Sequence, residues 1–206
     1  PAGTLNQATN GAPLVPRHLR VPVRERMRPD GSVETALDPI SLQNTIEKLG
    51  DVHSVAICFL HAWRNPAHEQ QAAAAVRARL QNAYVTTSSD VLPQIKEFER
   101  FSTTVANAAV GPVIENYLKS LQTRLSQAGY HGELLVILSH GGVASVQEAI
   151  RLAAGTALSG PAGGVAAAVA LARDGMGTNL IAFAMDGTST DIASVRHGRS
   201  EGHTPE

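Results

Sequence analysis

Short apolar runs that alternate with helical patterns constrain the fold of this chain more than any other feature. Residues 54–60 are apolar without polar alternation, as in a strand covered on both faces, and 133–139 and 180–185 are further apolar runs of strand length. Between the first run and a strand-like segment at 84–89, residues 66–81 carry apolar side chains at helical spacing. The alternation predicts an α/β fold, with a mixed sheet whose parallel strands are joined by crossover helices.

Composition excludes two classes of partner. The 206 residues include 17 Lys and Arg against 18 Asp and Glu, which gives a net charge of −1, and aromatic residues make up only 4%. A near-neutral chain with few aromatic side chains has neither the charge nor the stacking surfaces that nucleic-acid binding needs. No apolar run is long enough to cross a bilayer. The sequence therefore predicts no nucleic-acid partner and no membrane association.

The cysteine content and the beginning of the chain bear on its location and extent. Cys58 has no second cysteine with which to form a disulfide, so a reducing cytoplasm is predicted. Because it lies inside an apolar run, a buried and unreactive thiol is favoured over a nucleophile. The chain starts at Pro1 with a polar segment that lacks a secretion signal, which suggests a trimmed or partial polypeptide.

Three segments with different patterns follow one another along the chain. Residues 1–37 are predicted to form an extended arm and a β-hairpin, because Asp-Gly at 30–31 separates strand-like runs at 19–27 and 32–36. Residues 38–128 are predicted to hold the end of one α/β half and a connecting helix, in which Gly-Pro at 111–112 allows a kink or two helices. Residues 129–206 are predicted to begin a second α/β half with a phosphate loop.

The strongest local motif is Asp-Gly-Thr-Ser-Thr-Asp at 186–191, directly after a predicted strand. A tight turn that contains glycine exposes successive backbone N–H groups, and these can hold a phosphate. The hydroxyl groups at 188–190 add donors, and Asp186 or Asp191 could bind a hydrated Mg²⁺ through carboxylate oxygen. An ordinary polar turn between two strands explains the same residues.

Two further motifs place small residues at the start of a helix or the end of a strand. Ser-Gly-Pro-Ala-Gly-Gly at 159–164 opens an Ala-rich helix, where free N–H groups favour an anion and where glycines equally permit close helix packing. Ser-His-Gly-Gly at 139–142 follows an apolar strand, so His140 is either an acid, base or substrate contact or an ordinary loop residue. The charged and hydroxyl residues at 97–104 are interpreted as ion pairs and helix caps.

Taken in order, these pieces resemble one family, the hydantoinase A and oxoprolinase family, which includes N-methylhydantoinase, 5-oxoprolinase and nucleotide-binding subunits of acetone and acetophenone carboxylases. The resemblance runs from about residue 13 to residue 195. It rests on PLVPRHLRVPVRERMRPDGSV, SVAICFLHAWRNPAHEQ, FERFSTTVANAAVGPV, SHGGV, LSGPAGGV and FAMDGTSTDIASV. LSGPAGG followed by a strand and GTSTD at this separation is the specific part of the match.

The resemblance implies an actin-like ATPase fold, two ribonuclease-H-like α/β halves with ATP in the cleft, of which this chain holds a part. It places the second phosphate loop at Gly187, Thr188, Ser189, Thr190 and Asp191, and a loop at the cleft at Ser159, Gly160, Gly163 and Gly164. Asp186 and Asp191 are the candidate catalytic and metal-binding residues. His140 and Gly141 are the candidate substrate contacts.

The activity that the resemblance implies is ATP-dependent activation of a carbonyl by phosphorylation, either for hydrolysis of a cyclic amide or for carboxylation of a ketone. The expected cofactors are ATP and Mg²⁺, and the expected partners are a small carbonyl or amide substrate and a hydantoinase B-type subunit or an oligomer. The family usually reads F-D-M-G-G-T-S-T-D, whereas this chain has Ala184 at the acidic position and Asp186 at the first glycine. The alternative is therefore a catalytically degenerate binding or assembly module of the same fold.

Overall fold

An antiparallel strand pair opens the first of the two units, residues 1–116 and 117–206, into which the chain divides. The computed structural model describes residues 13–175, 177–185 and 190–200. Strands β1 (Arg26–Met27) and β2 (Val33–Thr35) flank the predicted turn, in which Gly31 has φ +87°. The hairpin is confirmed, with shorter strands than the pattern predicts. Before β1 the backbone is bonded to the helix that follows the hairpin and not to β2. The Thr45 hydroxyl of that helix donates to the Pro22 carbonyl at 3.0 Å.

The crossover arrangement predicted for the first unit is present. Helix α1 (Pro39–Leu49) is followed by strand β3 (Ser54–Ile57), helix α2 (Ala67–Arg79) and strand β4 (Tyr84–Thr87), and the two strands pair in parallel. Asp38 caps α1 by accepting the backbone N–H of Ile40 at 2.9 Å. The core lies between the helices and the strand pair and consists of Leu42, Ile46, Val55, Ile57, Ala72, Ala73 and Val76.

One continuous helix spans the segment for which the sequence allows either a kink or two helices. A short helix α3 (Ser88–Val91) precedes α4 (Glu97–Gln127), which runs for 31 residues with Pro112 inside it. A Cβ atom added at Gly111 would lie 2.3 Å from Cε1 of Tyr84, so the missing side chain makes room for that ring. Neither α4 nor any other helix in the described ranges is long and apolar enough to cross a membrane.

The second unit is built from antiparallel strand pairs and two further helices. Strands β5 (Leu135–Ile137) and β6 (Val143–Ser145) pair and lead into α5 (Val146–Arg151). Helix α6 (Ser159–Arg173) then precedes a sheet of β7 (Leu180–Met185), β8 (Thr190–Arg196) and β9 (Arg199–Ser200). With the parallel pair of the first unit, these strands make the chain α/β with both parallel and antiparallel pairing, as predicted.

Candidate functional site

The predicted phosphate loop connects strands β7 and β8. Asp186, Gly187, Thr188 and Ser189 lie outside the described residues. The last two residues of the motif, Thr190 and Asp191, begin β8, and both are exposed. The sheet register therefore places a hydroxyl and a carboxylate at the end of the hairpin, next to the proposed loop.

The register also locates the residue that departs from the family pattern. Ala184 on β7 is the direct cross-strand partner of Asp191 on β8. Directly opposite residues in an antiparallel pair have Cβ atoms about 5 Å apart. An acidic side chain at 184 would thus lie directly beside that of Asp191. In this chain Asp191 is the only carboxylate of that pair.

The oxygen donors at this position match the chemistry of a Mg²⁺ ion bound together with a nucleotide. Magnesium is usually held by one or two carboxylates, with water and phosphate oxygens completing its coordination. Asp191 supplies one carboxylate, whereas Thr190, the preceding residue of the strand, points to the opposite face of the sheet. In the part of the chain that the structure describes, no group of three or more His, Cys, Asp or Glu side chains is placed to hold a metal ion.

The glycine-containing motif of 159–164 forms the first turns of α6. The residue before the helix, Leu158, has φ +59° and makes no capping hydrogen bond through its side chain. A Cβ atom added at Gly163 would lie 3.2 Å from Cδ1 of Ile137, whereas one added at Gly164 would have nothing within 4 Å. Close packing against β5 thus explains Gly163. The nucleotide-binding roles of Ser159, Gly160, Gly163 and Gly164 stay predictions.

A cavity of about 550 Å³ lies between α6 and strands β7 and β8. Pro161 and Gly164 line it from the helix, and Ala184 and Asp191 line it from the sheet. Every other lining side chain among the described residues is apolar, so Asp191 is the only charged group that the described part of the chain contributes to the wall. The volume lies in the range typical of small-molecule sites, about 300–1,000 Å³. Two motifs that are separate in the sequence therefore meet around one cavity.

His140 and Gly141 lie in the turn between β5 and β6 and do not line this cavity. The Gly141 N–H donates to the Leu138 carbonyl at 2.9 Å, which closes the turn. The exposed His140 ring lies against Gly142, since a Cβ atom added there would be 2.6 Å from Nε2. Their assignment as substrate contacts stays a prediction.

A buried carboxylate in the first unit joins the two segments that follow the parallel strands, the loop after β3 and the start of α3. The Glu69 side chain has no exposed surface and accepts from the Phe59 N–H at 2.8 Å. It also accepts from the Ser88 hydroxyl at 2.6 Å and the Ser89 N–H at 2.8 Å. Sequence reasoning missed this residue. Helical spacing would have revealed it, because Glu69 shares the face of α2 that carries Ala72, Ala73 and Val76.

Arg100 is a second buried charged residue near the segments that Glu69 joins. It has no exposed surface and donates to the Phe59 carbonyl at 3.0 Å and the Gln94 carbonyl at 2.8 Å. Its distance to Glu97 is 4.0 Å, so the ion pair interpreted from the sequence is only a marginal contact beside the carbonyl bonds. Arg100 therefore fixes the segment before α4 and the loop after β3, and Glu69 bonds to the same loop.

The environment of Cys58 predicts an unreactive thiol. Burial raises the pKa of the Cys58 thiol to about 12, and the negative charge of Glu69 adds to the effect. At pH 8 the native thiol is protonated, so we expect a thiol-specific disulfide reagent to label the folded chain at least about tenfold more slowly than the unfolded chain. Absorbance of the released thiolate with and without urea measures both rates. Equal rates would contradict the assigned burial.

Comparisons with known proteins identify the family that these motifs resemble. The family model described as Hydantoinase/oxoprolinase matches residues 100–205, and the model described as Hydantoinase/oxoprolinase N-terminal region matches residues 4–80. The chain is 37% identical over 189 residues to the caprolactamase subunit alpha of Pseudomonas jessenii, a match that covers 91% of this chain and 27% of that protein. It is 36% identical over 151 residues to 5-oxoprolinase of Saccharomyces cerevisiae, covering 73% of this chain and 11% of that protein.

The fold of the chain matches part of a solved structure. The nucleotide-free structure of acetone carboxylase, from work on ATP-dependent acetone carboxylation, superposes with a TM-score of 0.79 at 29% identity. That match covers 95% of this chain and 28% of the acetone carboxylase chain. The chain thus spans about a quarter of the length of caprolactamase subunit alpha and of this acetone carboxylase chain, and less of 5-oxoprolinase.

Proposed function

Because the chain belongs to the hydantoinase/oxoprolinase family, we propose that it is part of the nucleotide-binding subunit of an ATP-dependent enzyme that activates a carbonyl or amide substrate. The observation that carries the proposal is the cavity between α6 and the β7–β8 hairpin, where Gly164 and Asp191 of two separate motifs meet. The ATP dependence named for acetone carboxylase and for a caprolactamase structure supports the same nucleotide.

In this proposal the chain's own residues bind and orient the nucleotide. Asp191 offers a carboxylate ligand at the start of β8, and the first turn of α6 offers the backbone N–H groups of Ser159 and Gly160. Asp186, Gly187, Thr188 and Ser189 are proposed to complete the phosphate loop. Bound ATP would supply a phosphoryl group that makes an otherwise stable carbonyl carbon reactive.

The wider assembly is proposed on the same basis. The fold is proposed to be part of an actin-like ATPase, and the names of the relatives as alpha, beta and gamma subunits support a partner subunit. The substrate is proposed to be a small ketone or cyclic amide, since the relatives are named for both kinds of compound. The single cysteine supports a reducing compartment such as the cytoplasm.

We expect Asp191→Asn to weaken binding of Mg²⁺-ATP about tenfold or more in the full-length polypeptide that carries this sequence, because a carboxylate ligand is lost. Asp174→Asn is the matched control, since Asp174 is an exposed carboxylate at the end of α6 that does not line the cavity. Titration calorimetry with and without Mg²⁺ measures the affinities. Absence of nucleotide binding by the unaltered protein, or equal losses in both variants, would refute the proposed site.

The alternative, a degenerate binding or assembly module, is favoured by one observation, Ala184 opposite Asp191. If the site is degenerate, Ala184→Asp should restore a second carboxylate and raise Mg²⁺-dependent ATP affinity about tenfold or more. Ala170→Asp, at an exposed position of α6 that does not line the cavity, is the control that adds the same charge elsewhere in the unit. If Ala184→Asp leaves the affinity unchanged or lowers it while the unaltered protein binds ATP, the degenerate module is refuted.

A further inference from the structure

Arginine side chains line one solvent-exposed face of the segment that precedes and enters β1. We call Arg20, Arg24, Arg26 and Arg28 the arginine ridge, and all four are exposed. The residues between them face the other way, since Val21, Val23 and Glu25 are half-buried and Met27 is 1% exposed. The alternation follows from extended backbone, in which successive side chains point to opposite sides.

The backbone under the ridge is held in place by contacts with two helices. The Arg24 N–H donates to the Ser41 hydroxyl at 2.9 Å, and the Arg24 carbonyl accepts the Asp38 N–H at 2.9 Å. On the inward side, Glu25 pairs with His68 of α2 at 2.8 Å, and both side chains are only 7% exposed. The backbone that carries the ridge is therefore fixed, and in extended chain the Cα atoms of alternate residues lie about 6.6 Å apart.

The positive charge of the ridge has little compensation within the chain. Among the described residues, no carboxylate lies within ion-pair distance of Arg24 or Arg26. Arg28 is 3.6 Å from the exposed Glu34, and Arg20 donates to the Val15 carbonyl. The chain as a whole has a net charge of −1, so this local excess of arginine is a feature of one surface.

We propose that the arginine ridge binds an acidic segment of a partner protein. Arginine presents a planar fork that matches a carboxylate with two parallel hydrogen bonds, and arginine is enriched at protein interfaces. An extended segment with acidic residues at alternate positions has the same repeat of about 6.6 Å as the ridge. The ridge lies in the first unit, whereas the residues of the proposed nucleotide site lie in the second.

A protein partner is favoured over a single-stranded nucleic acid. Binding of single strands combines positive charge with aromatic side chains on which bases stack. The sequence contains no aromatic residue before Phe59, so neither the ridge nor α1 carries an aromatic side chain on which a base could stack. Nucleic acid is accordingly the competing outcome of the test.

The test measures binding of fluorescently labelled oligoglutamate and oligothymidylate to the 206-residue chain by anisotropy, in about 0.1 M salt, where the Debye length is about 10 Å. We expect oligoglutamate to bind more tightly than oligothymidylate. We expect R24E/R26E to weaken oligoglutamate binding about tenfold or more, and K48E/R79E, which reverses two exposed charges elsewhere in the same unit, to weaken it less than about threefold.

Three results would overturn the proposal: no binding of oligoglutamate, equal losses in R24E/R26E and K48E/R79E, or tighter binding of oligothymidylate. Circular dichroism checks that the variants fold. If R24E/R26E does not fold, R24Q/R26Q removes the two charges without reversing them and is expected to weaken binding about threefold or more. Retention of full affinity by R24Q/R26Q would equally overturn the proposal.

Discussion

Replacing Glu69 by alanine is expected to lower the free energy of unfolding of the first unit by about 3 kcal/mol or more. The change removes the acceptor for the Phe59 N–H in the loop after β3 and for the Ser88 hydroxyl and the Ser89 N–H at the start of α3. A buried donor left without a partner costs about 1–3 kcal/mol, and water entering the space would recover part of that loss. Urea unfolding followed by far-ultraviolet circular dichroism measures the change.

Gln70→Ala is the matched control for this prediction. Gln70 is the next residue of α2 and is exposed, so its replacement is expected to change the free energy of unfolding by less than about 0.5 kcal/mol. Glu69→Gln separates charge from shape, because the amide keeps one acceptor oxygen and is expected to lose less stability than alanine. If the Glu69→Ala chain is as stable as the Gln70→Ala chain, the stability of the first unit does not depend on this carboxylate.

Gly111→Ala is expected to lower the free energy of unfolding by about 2–3 kcal/mol, although alanine is the better helix former. Helix propensity alone would stabilise α4 by about 1 kcal/mol. The added Cβ would lie 2.3 Å from Cε1 of Tyr84, too close for any side-chain contact, so the ring or the helix must move. The sign of the measured change, again from urea unfolding, therefore decides between helix propensity and packing.

Gly164→Ala is the control for the glycine substitution. An added Cβ there meets nothing within 4 Å, and its position in α6 gives the same change in helix propensity. We expect this variant to be as stable as the unaltered chain or up to about 1 kcal/mol more stable. In the Tyr84→Ala background, Gly111→Ala should lose most of its cost, because the clashing ring is gone. A stabilising Gly111→Ala in the unaltered chain would refute the close contact.

Much of the local structure could be predicted because it depends on neighbouring residues. The Asp-Gly turn at 30–31 and the α6 helix after the 159–164 motif follow from short-range preferences and hold in the structure. The continuous α4 helix could not be settled in the same way. Pro112 and Gly111 favour a break by local criteria, and the packing of Tyr84 supplies a different reason for the glycine.

In the candidate site, too, the sequence predicts local features and the tertiary structure decides which residues come together. The sequence alone predicts an anion at the motifs at 159–164 and 186–191, because glycine leaves backbone N–H groups accessible and hydroxyl groups donate hydrogen bonds. It does not show that Gly164 and Asp191 line one cavity, or that His140 lies outside its wall. Those relations depend on how α6 packs on the sheet, which involves residues distant in the sequence.

The sequence by itself determined the family and the α/β class, since short motifs and hydrophobic periods are local properties. Only the tertiary structure decided that Ala184 faces Asp191, because strand register sets which residues of two strands are opposite. It also decided which groups donate to the buried Glu69, one from the loop after β3 and two from the start of α3. A charged residue is stable in a core only where distant segments supply its hydrogen bonds, and no local pattern contains those segments.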